Sequence, residues 1–271
     1  MATVGVLALQ GGFAEHLSCL RKAAAHLSAR PQPPSSPIHA PGHFDFIEVR
    51  TPGQLATCDG LVIPGGESTT LSLVAEQSGL LEPLRQFVKV DKKPTWGTCA
   101  GLIFLCEEAS ATKRGGQALI GGLYVKVHRN HFGRQKESFV TDLDLPFLSQ
   151  GHEGGGVKAA PSPFPAVFIR APVVDHILAD DKNEDAEKSP KGKVEVLAIL
   201  PGRHVSNQKA AGAAAPTASA QGSHTTPAEG AGDIVALRQG NVFGTSFHPE
   251  LTDDIRIHVW WLEQMTMRPH P

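Results

Sequence analysis

The chain has 271 residues, of which 41% are hydrophobic and 19% are charged. These proportions are typical of a folded protein rather than a disordered chain, and the length suits one large domain or two small ones. The formal net charge is -2, with both signs mixed along the sequence. We therefore expect neither a basic surface for nucleic acid nor a polybasic patch for membranes.

The N-terminal sequence MATVGVLALQGG has no basic stretch ahead of its apolar run, and the run is too short to span a bilayer. It predicts a first strand rather than a signal peptide. No longer apolar run occurs elsewhere, so we expect a cytoplasmic protein without a membrane segment.

The four cysteines, Cys19, Cys58, Cys99 and Cys106, are predicted to be free thiols. None forms a CxxC pair, and no Cys/His cluster has the spacing of zinc ligands. A cytosolic chain of this length does not need disulfides. The sequence also lacks a P-loop and a GxGxxG fingerprint, so we expect neither a metal nor a cofactor.

Apolar runs separated by turn residues predict alternating strands and helices in the first 109 residues. The strands are near-continuous apolar runs, as in sheets that are covered on both faces. In chain order, the predictions are strand 4–9, helix 13–29, strand 44–49, strand 60–63, helix 68–88 broken near residue 79, strand 94–98 and helix 100–109. This alternation predicts an α/β fold, a three-layer sandwich whose central sheet is mostly parallel.

The second half of the chain changes character. It predicts strands at 119–127, 137–143, 167–170, 194–200, 233–239 and 242–247, and a last helix at 253–265. Four stretches are rich in proline, glycine, charge or small residues and resemble insertions, near 30–43, 149–163, 179–193 and 207–232. We expect them to be surface excursions from a single domain that spans residues 1–271.

The sequence GTCAG at residues 97–101 places Cys99 between a predicted strand and a predicted helix. Glycines two residues before and after the thiol are typical of the nucleophile elbow, a tight strand-to-helix turn that exposes its central side chain. The start of a helix also favours the reactive thiolate. The alternative is a small buried side chain, and we assign Cys106, on the same predicted helix, to the core.

His248 follows an apolar strand and opens the sequence HPE. In an extended segment, residues two apart point the same way, so Glu250 is expected to hold the His248 ring. The alternative is a histidine at a strand end beside an exposed acid. Most of the 13 histidines lie in insertions or between polar neighbours and are predicted to be solvated.

The sequence PGGEST at residues 64–69 also joins a strand to a helix. Glycines let backbone N–H groups approach a bound group closely, and such turns bind developing negative charge. The alternative is a simple turn in which Ser68 or Thr69 caps the helix.

Taken together, six motifs resemble one family closely, the glutaminase subunit of pyridoxal 5'-phosphate synthase (the PdxT/SNO family). The motifs are LALQG (7–11), PGGEST (64–69), GTCAG (97–101), RNHFGRQ (129–135), FIRAP (168–172) and SFHPE (246–250). This family belongs to the class I glutamine amidotransferases, so the resemblance implies their flavodoxin-like fold. The cysteine elbow and HPE indicate the wider class, whereas the other motifs narrow it to this subunit.

The resemblance implies a role for each matching residue. Cys99 would be the nucleophile, His248 the base and Glu250 its orienting group. The residues implied to contact glutamine are Gly66, Glu67, Ser68, Arg129, Ile169 and Arg170. The N–H groups of Gly66 and Ala100 would stabilise the oxyanion. Gln10 would lie near the oxyanion region and the partner interface.

The resemblance also implies a reaction and a partner. Glutamine would be hydrolysed to glutamate and ammonia, and the ammonia passed to a separate TIM-barrel synthase subunit that makes pyridoxal 5'-phosphate. Three alternatives remain: a glutaminase serving another ammonia acceptor, a cysteine peptidase or related hydrolase, and a non-enzymatic regulatory or scaffold subunit.

Overall fold

A computed structural model of the chain describes residues 1–30, 44–110, 117–129, 138–149, 162–178, 192–201 and 232–267. The four predicted insertions lie almost entirely outside these residues, so their surface position stays a prediction. Within the described residues, no helix is both long enough and apolar enough to cross a membrane.

The first 109 residues alternate strands and helices. In chain order, the elements are β1 (Ala2–Leu7), α1 (Phe13–Ser28), β2 (Phe44–Val49), α2 (Pro52–Ala56), β3 (Gly60–Ile63), α3 (Ser68–Gln77), α4 (Leu81–Arg85), β4 (Thr95–Thr98), α5 (Ala100–Leu105) and β5 (Cys106–Ala109). The break near Gly79 is confirmed: this residue has φ +71° and separates α3 from α4, which continues as a π-helical turn over Gln86–Val90.

The second half is built mainly from strands. They are β6 (Leu123–His128), β7 (Ser138–Leu143), β8 (Phe164–Ile169), β9 (Val173–Ile177), β10 (Val194–Leu200), β11 (Asp233–Gln239) and β12 (Val242–Thr245). Short 3-10 turns cover Pro146–Ser149 and Pro249–Leu251, and the last described helix is α6 (Arg256–Met267). The sequence did not predict α2 or β9.

The prediction of one helix over 100–109 is wrong. The helix ends at Leu105, and Cys106 adopts an extended conformation and begins β5. This strand pairs in parallel with β6, where Cys106 lies opposite Leu123. The local sequence CEEA has no strong strand preference, so the pairing with a strand distant in sequence overrides the local tendency.

The central sheet has ten strands in the order β2-β1-β3-β4-β12-β11-β9-β6-β5, with β10 also pairing with β11. The first five strands in this order run parallel. Strand β11 pairs antiparallel with β12, β10 and β9. Strands β7 and β8 form a separate antiparallel pair. The predicted α/β fold with a mostly parallel sheet is confirmed, and its antiparallel strands belong to the second half.

Two hydrophobic clusters fill the space on the two faces of the sheet. One contains Leu17 and Leu20 of α1, Leu262 of α6 and the fully buried Trp96 of β4. The other is made by α3, α4 and α5 with the opposite faces of the strands. These clusters give the three layers, helix, sheet and helix, that the alternating sequence predicts.

The turn between β4 and α5 depends on Gly101. A Cβ atom at this position would lie 2.1 Å from the carbonyl oxygen of Ile63 on β3. We expect Gly101→Ala to lower the free energy of unfolding by about 2 to 3 kcal/mol, because backbone cannot yield as a flexible side chain would. Urea unfolding measures the change.

Gly53→Ala is the matched control, since a Cβ atom at Gly53 in α2 meets nothing within 4 Å. This replacement should be neutral or slightly stabilising. Equal unfolding free energies for the two variants would contradict the close approach at Gly101.

Candidate active site

Cys99 occupies a sharp corner between β4 and α5. Its backbone has φ 48° and ψ -102°. A residue with a side chain rarely adopts these angles, so the backbone is strained at this position. The corner is fixed by the Cys99 N–H, which donates a 2.8 Å hydrogen bond to the Thr245 carbonyl of β12. A Cβ atom at Gly97 would lie 2.5 Å from the backbone of Gly101, which explains why glycines flank the thiol.

His248 follows β12 at the same edge of the sheet. Its backbone N–H donates a 2.8 Å hydrogen bond to the Val167 carbonyl of β8, and its Nδ1 lies 2.8 Å from Oε1 of Glu250. The segment is not extended as expected, because a 3-10 turn begins at Pro249. The turn nevertheless brings the carboxylate to the ring, and both side chains are buried.

The His248 ring and the thiol of Cys99 line the same cavity and interact electrostatically. Burial lowers the pKa of His248, but the hydrogen bonds and charges of Cys99 and Glu250 outweigh it and raise this pKa to about 10. Burial likewise raises the pKa of Glu250, whereas the imidazoles of His16 and His248 bring it below its ordinary value. The two shifts together favour an ionised carboxylate beside an imidazolium.

The glycine-rich loop that follows β3 is held from the side by Gln10. The Gln10 amide nitrogen donates to the carbonyl of Glu67 at 2.8 Å, and its amide oxygen accepts from the Glu67 N–H at 3.2 Å. A Cβ atom at Gly66 would lie 2.7 Å from that amide. Gln10 therefore fixes the backbone of the loop from a distant part of the sequence.

The helix cap in this loop differs from both predicted candidates. The side chain of Glu67, rather than Ser68 or Thr69, accepts hydrogen bonds from the N–H groups of Thr69 and Thr70. Burial raises the pKa of Glu67, but the hydrogen bonds from Thr70 and Thr69 lower it below its ordinary value. Glu67 stays anionic at neutral pH and complements the start of α3.

One cavity of about 200 Å³ connects these elements, and eight of the residues singled out by sequence line it together with Ile103. The lining residues are Gly66, Glu67, Ser68, Cys99, Ile103, Arg129, Ile169, Arg170 and His248. Three further candidates lie outside the lining: Gln10 behind the loop, Glu250 behind His248, and Ala100 next to the thiol.

Arg129 reaches the cavity from the end of β6. Its guanidinium lies 3.1 Å from Oγ1 of Thr69 and 3.8 Å from Oε1 of Glu67. Ile169 ends β8 and Arg170 follows it, and the Cys99 sulfur lies 4.0 Å from the Ile169 carbonyl. Arg170 has φ 45°, a second strained residue at the rim of the cavity. The remainder of the motif at 130–135 lies outside the described residues.

Two buried histidines lie beside this site, and the sequence did not predict them. His16 of α1 and His258 of α6 are fully buried, so the prediction that most histidines are solvated is wrong for them. Burial lowers the pKa of both rings, and that of His258 falls well below its ordinary value. A signal existed for His16, because Leu20, Ala23 and Leu27 follow it at helical spacing on the buried face.

A thiol on a strand-to-helix elbow, an imidazole and a buried carboxylate on an α/β sheet together define a class, the enzymes that carry out acyl transfer on a cysteine. The imidazole lies 2.8 Å from the carboxylate, and it shares the cavity with the thiol. The cationic and polar lining of the cavity suits a small polar molecule.

Comparisons with known proteins identify a narrower family within this class. The model of the SNO glutamine amidotransferase family matches residues 6–206 and 215–267. The probable pyridoxal 5'-phosphate synthase subunit PDX2 of Arabidopsis thaliana is 41% identical, over 96% of this chain and 85% of the plant protein. The pyridoxal 5'-phosphate synthase subunit SNO1 of Saccharomyces cerevisiae is 36% identical, over 97% of this chain and 93% of its own length.

A solved structure agrees with the sequence relatives. A crystal structure of a glutamine amidotransferase, 32% identical, superimposes with a TM-score of 0.62 and covers 97% of this chain and 98% of its own. The chain belongs to the SNO glutamine amidotransferase family.

Because His16 and His258 are buried, we expect the folded protein to lose stability at mildly acidic pH. Their folded-state pKa values lie below the ordinary 6.5, so below that pH the unfolded chain binds more protons than the folded one. Stability should fall as the pH drops from 7 to 5.5, by up to about 1.4 kcal/mol per pH unit for each ring. Urea midpoints measured across this range test the slope.

His248 cannot produce this slope, since its raised pKa contributes stability that is fully present below pH 6.5 and is lost only as the pH rises towards 10. Replacing His258→Phe should flatten the acid slope by removing one of the two rings. A urea midpoint that stays constant between pH 7 and 5.5 in the wild type would contradict neutral burial of the two histidines.

Proposed function

We propose that this chain hydrolyses L-glutamine to L-glutamate and ammonia with Cys99 as nucleophile, and delivers the ammonia to a pyridoxal 5'-phosphate synthase subunit. One observation carries the proposal: the His248 ring, held by Glu250 at 2.8 Å, lines one cavity together with the Cys99 thiol and two arginines. Family membership supports the choice of glutamine over a peptide.

The cavity offers a partner for each part of free glutamine. The guanidinium groups of Arg129 and Arg170 suit the α-carboxylate, because arginine matches carboxylate geometry. The anionic Glu67 suits the α-ammonium group. The apolar side chain of Ile169 suits the methylene groups, which leaves the side-chain amide beside the thiol of Cys99.

The first step is attack of the Cys99 thiolate on the amide carbon, which forms a C–S bond and pushes the carbonyl electrons onto oxygen. We assign the N–H groups of Gly66 and Ala100 to stabilise this oxyanion. Ala100 is the first residue of α5, so its N–H has no partner within the helix. Gln10 keeps the Gly66 backbone in place. Loss of one such donor typically costs about 3 kcal/mol.

The second step is the departure of nitrogen. His248 gives its proton to the amide nitrogen, the C–N bond breaks, and ammonia leaves a glutamyl thioester on Cys99. Water, deprotonated by His248, then attacks the thioester and releases glutamate and the thiol. Glu250 stays ionised throughout and holds the ring in the required orientation.

The relatives in Arabidopsis and yeast are named as subunits of pyridoxal 5'-phosphate synthase, which supports a synthase subunit as the partner. Ammonia released into water would be lost as ammonium, so direct transfer between subunits is chemically favoured. We also propose that residues 1–271 form a single glutaminase domain. The four free cysteines are consistent with the cytoplasm, where we place the complex.

The reaction is tested by measuring glutamate released from glutamine, with and without a pyridoxal 5'-phosphate synthase subunit. We expect weak activity for the chain alone, a rise when the partner is added, and no activity above background for Cys99→Ala. The loop at residues 64–69 is glycine-rich and can adopt other backbone conformations, which is why the partner should raise the rate.

Cys58→Ala is the matched control, because Cys58 is a buried thiol that lies outside the cavity and should leave the rate unchanged. A wild-type chain that stays inactive with bound partner would disprove the glutaminase. Cleavage of peptides in place of free glutamine would favour the peptidase alternative, and activation by a different acceptor enzyme would reassign the partner.

A further inference from the structure

Behind Glu250 lies a buried polar cluster that the reaction described above does not use. It consists of His16 from α1, Thr98 from β4 and His258 from α6, all with 0% exposure. The Nε2 of His16 lies 3.3 Å from Oε2 of Glu250 and 3.2 Å from Oγ1 of Thr98. The Nδ1 of His16 lies 3.2 Å from the Nε2 of His258.

The positions of the protons follow from the neighbours. Oε1 of Glu250 is occupied by His248, and Oε2 has no aligned hydrogen bond among the described residues, so a donor near it has a large effect. A lone pair of His16 facing this carboxylate would be repelled. Nε2 of His16 therefore carries the proton, and its Nδ1 accepts from Nε2–H of His258.

The surroundings of Nδ1 of His258, the last ring nitrogen of the pair, are consistent with this assignment. Nδ1 of His258 has no hydrogen-bond partner in the described part of the chain. With the proton on its Nε2, this atom is a bare acceptor, and no N–H donor is left unpaired. His258 thus donates to His16, whose protonated Nε2 hydrogen-bonds Oγ1 of Thr98 at 3.2 Å and faces Oε2 of Glu250 at 3.3 Å.

We propose that His16 is a positioning residue of the active site, whose protonated Nε2 faces Oε2 of Glu250 at 3.3 Å while His258 fixes its tautomer. The inference rests on the proposed function, because it assigns Glu250 to orient His248. His16 touches neither the cavity nor the thiol, so it acts only through the carboxylate.

The surroundings keep the imidazoles of His16 and His258 neutral and restrict their movement. The charged or titratable groups that act on His16 are Glu250, His248, Glu15 and His258. Burial has the largest effect and lowers the pKa of His16, so the ring orients the carboxylate without neutralising it. The Trp96 ring contacts both imidazoles at ring-centre distances of 5.4 and 4.9 Å and restricts their rotation.

In the described part of the chain, no group of three or more His, Cys, Asp or Glu side chains is arranged to hold a metal ion. We therefore interpret these imidazoles as hydrogen-bonding groups. The consequence is specific: loss of the Nε2–H group removes the polar hydrogen that faces Oε2 of a buried carboxylate, so Glu250 and with it His248 are held less well.

The test compares His16→Gln with His16→Asn in the complex with a synthase subunit. The amide of glutamine reaches the position of Nε2 and keeps a donor for Glu250, whereas that of asparagine reaches only the position of Nδ1. We expect His16→Asn to lower kcat about 10- to 100-fold with KM within about 2-fold of the wild type, and His16→Gln to restore most of the rate. His26→Asn, at an exposed position on the same helix, is the control.

A second measurement does not depend on glutamine. The rate of Cys99 alkylation by iodoacetamide reports the thiolate, and Cys99→Ala supplies the blank for the other thiols. The midpoint of its pH profile should move to higher pH in His16→Asn and return in His16→Gln. Circular dichroism and the thermal midpoint confirm that both variants fold.

Two results would overturn the inference: equal kcat for the Asn and Gln variants, or an alkylation profile that neither variant changes. If the wild type alkylates normally but releases no glutamate with its partner, the proposed function fails, and the alkylation profiles still decide the role of His16. Adding His258→Leu to His16→Asn should reduce kcat little further, since His258 acts through His16.

Discussion

The active site depends on the parallel register of four neighbouring strands, β1, β3, β4 and β12. Gly97 lies opposite both Ile63 and Gly244, so β3, β4 and β12 end at the same edge of the sheet. The residues after each strand therefore meet: Gln10 after β1, the glycine-rich loop after β3, Cys99 after β4 and His248 after β12. Ligand sites at the carboxyl ends of parallel strands are a general consequence of this geometry.

Close packing at that edge determines which residues are tolerated. The thiol is exposed to the cavity only because its backbone has a positive φ, and the neighbouring glycines allow α5 and β3 to approach. The hydrogen bond from Cys99 N–H to Thr245 holds the strained corner in place. The energy of the surrounding core therefore supports a conformation that an isolated turn would not keep.

The antiparallel strands position residues of the cavity that the parallel strands do not supply. Strand β8 accepts the backbone hydrogen bond of His248 through Val167 and carries Ile169 and Arg170 to the cavity. Arg129 directly follows strand β6. The parallel strands thus provide the thiol, the imidazole and the glycine loop, and the antiparallel strands provide most of the groups that suit a charged small molecule.

The buried carboxylate of Glu250 interacts electrostatically with an imidazole on each of its two sides. Glu250 lies between His248 on the side of the cavity and His16 on the side of the helical layer. Both contacts favour its charged form, which in turn favours a protonated His248. A single ionised group, shielded from water, therefore links the packing of α1 and α6 to the reactivity of Cys99.

The sequence by itself determined most of the element order, the elbow at Cys99 and the pairing of His248 with Glu250. These features depend on residues close in sequence, through apolar periodicity, glycine at a tight turn and short spacing. Only the tertiary structure decided that residues 106–109 form a strand, that Glu67 caps α3, and that His16 and His258 are buried against Glu250. Each of these outcomes depends on strand pairing, cap geometry or burial by elements distant in the chain, and no local pattern records those contacts.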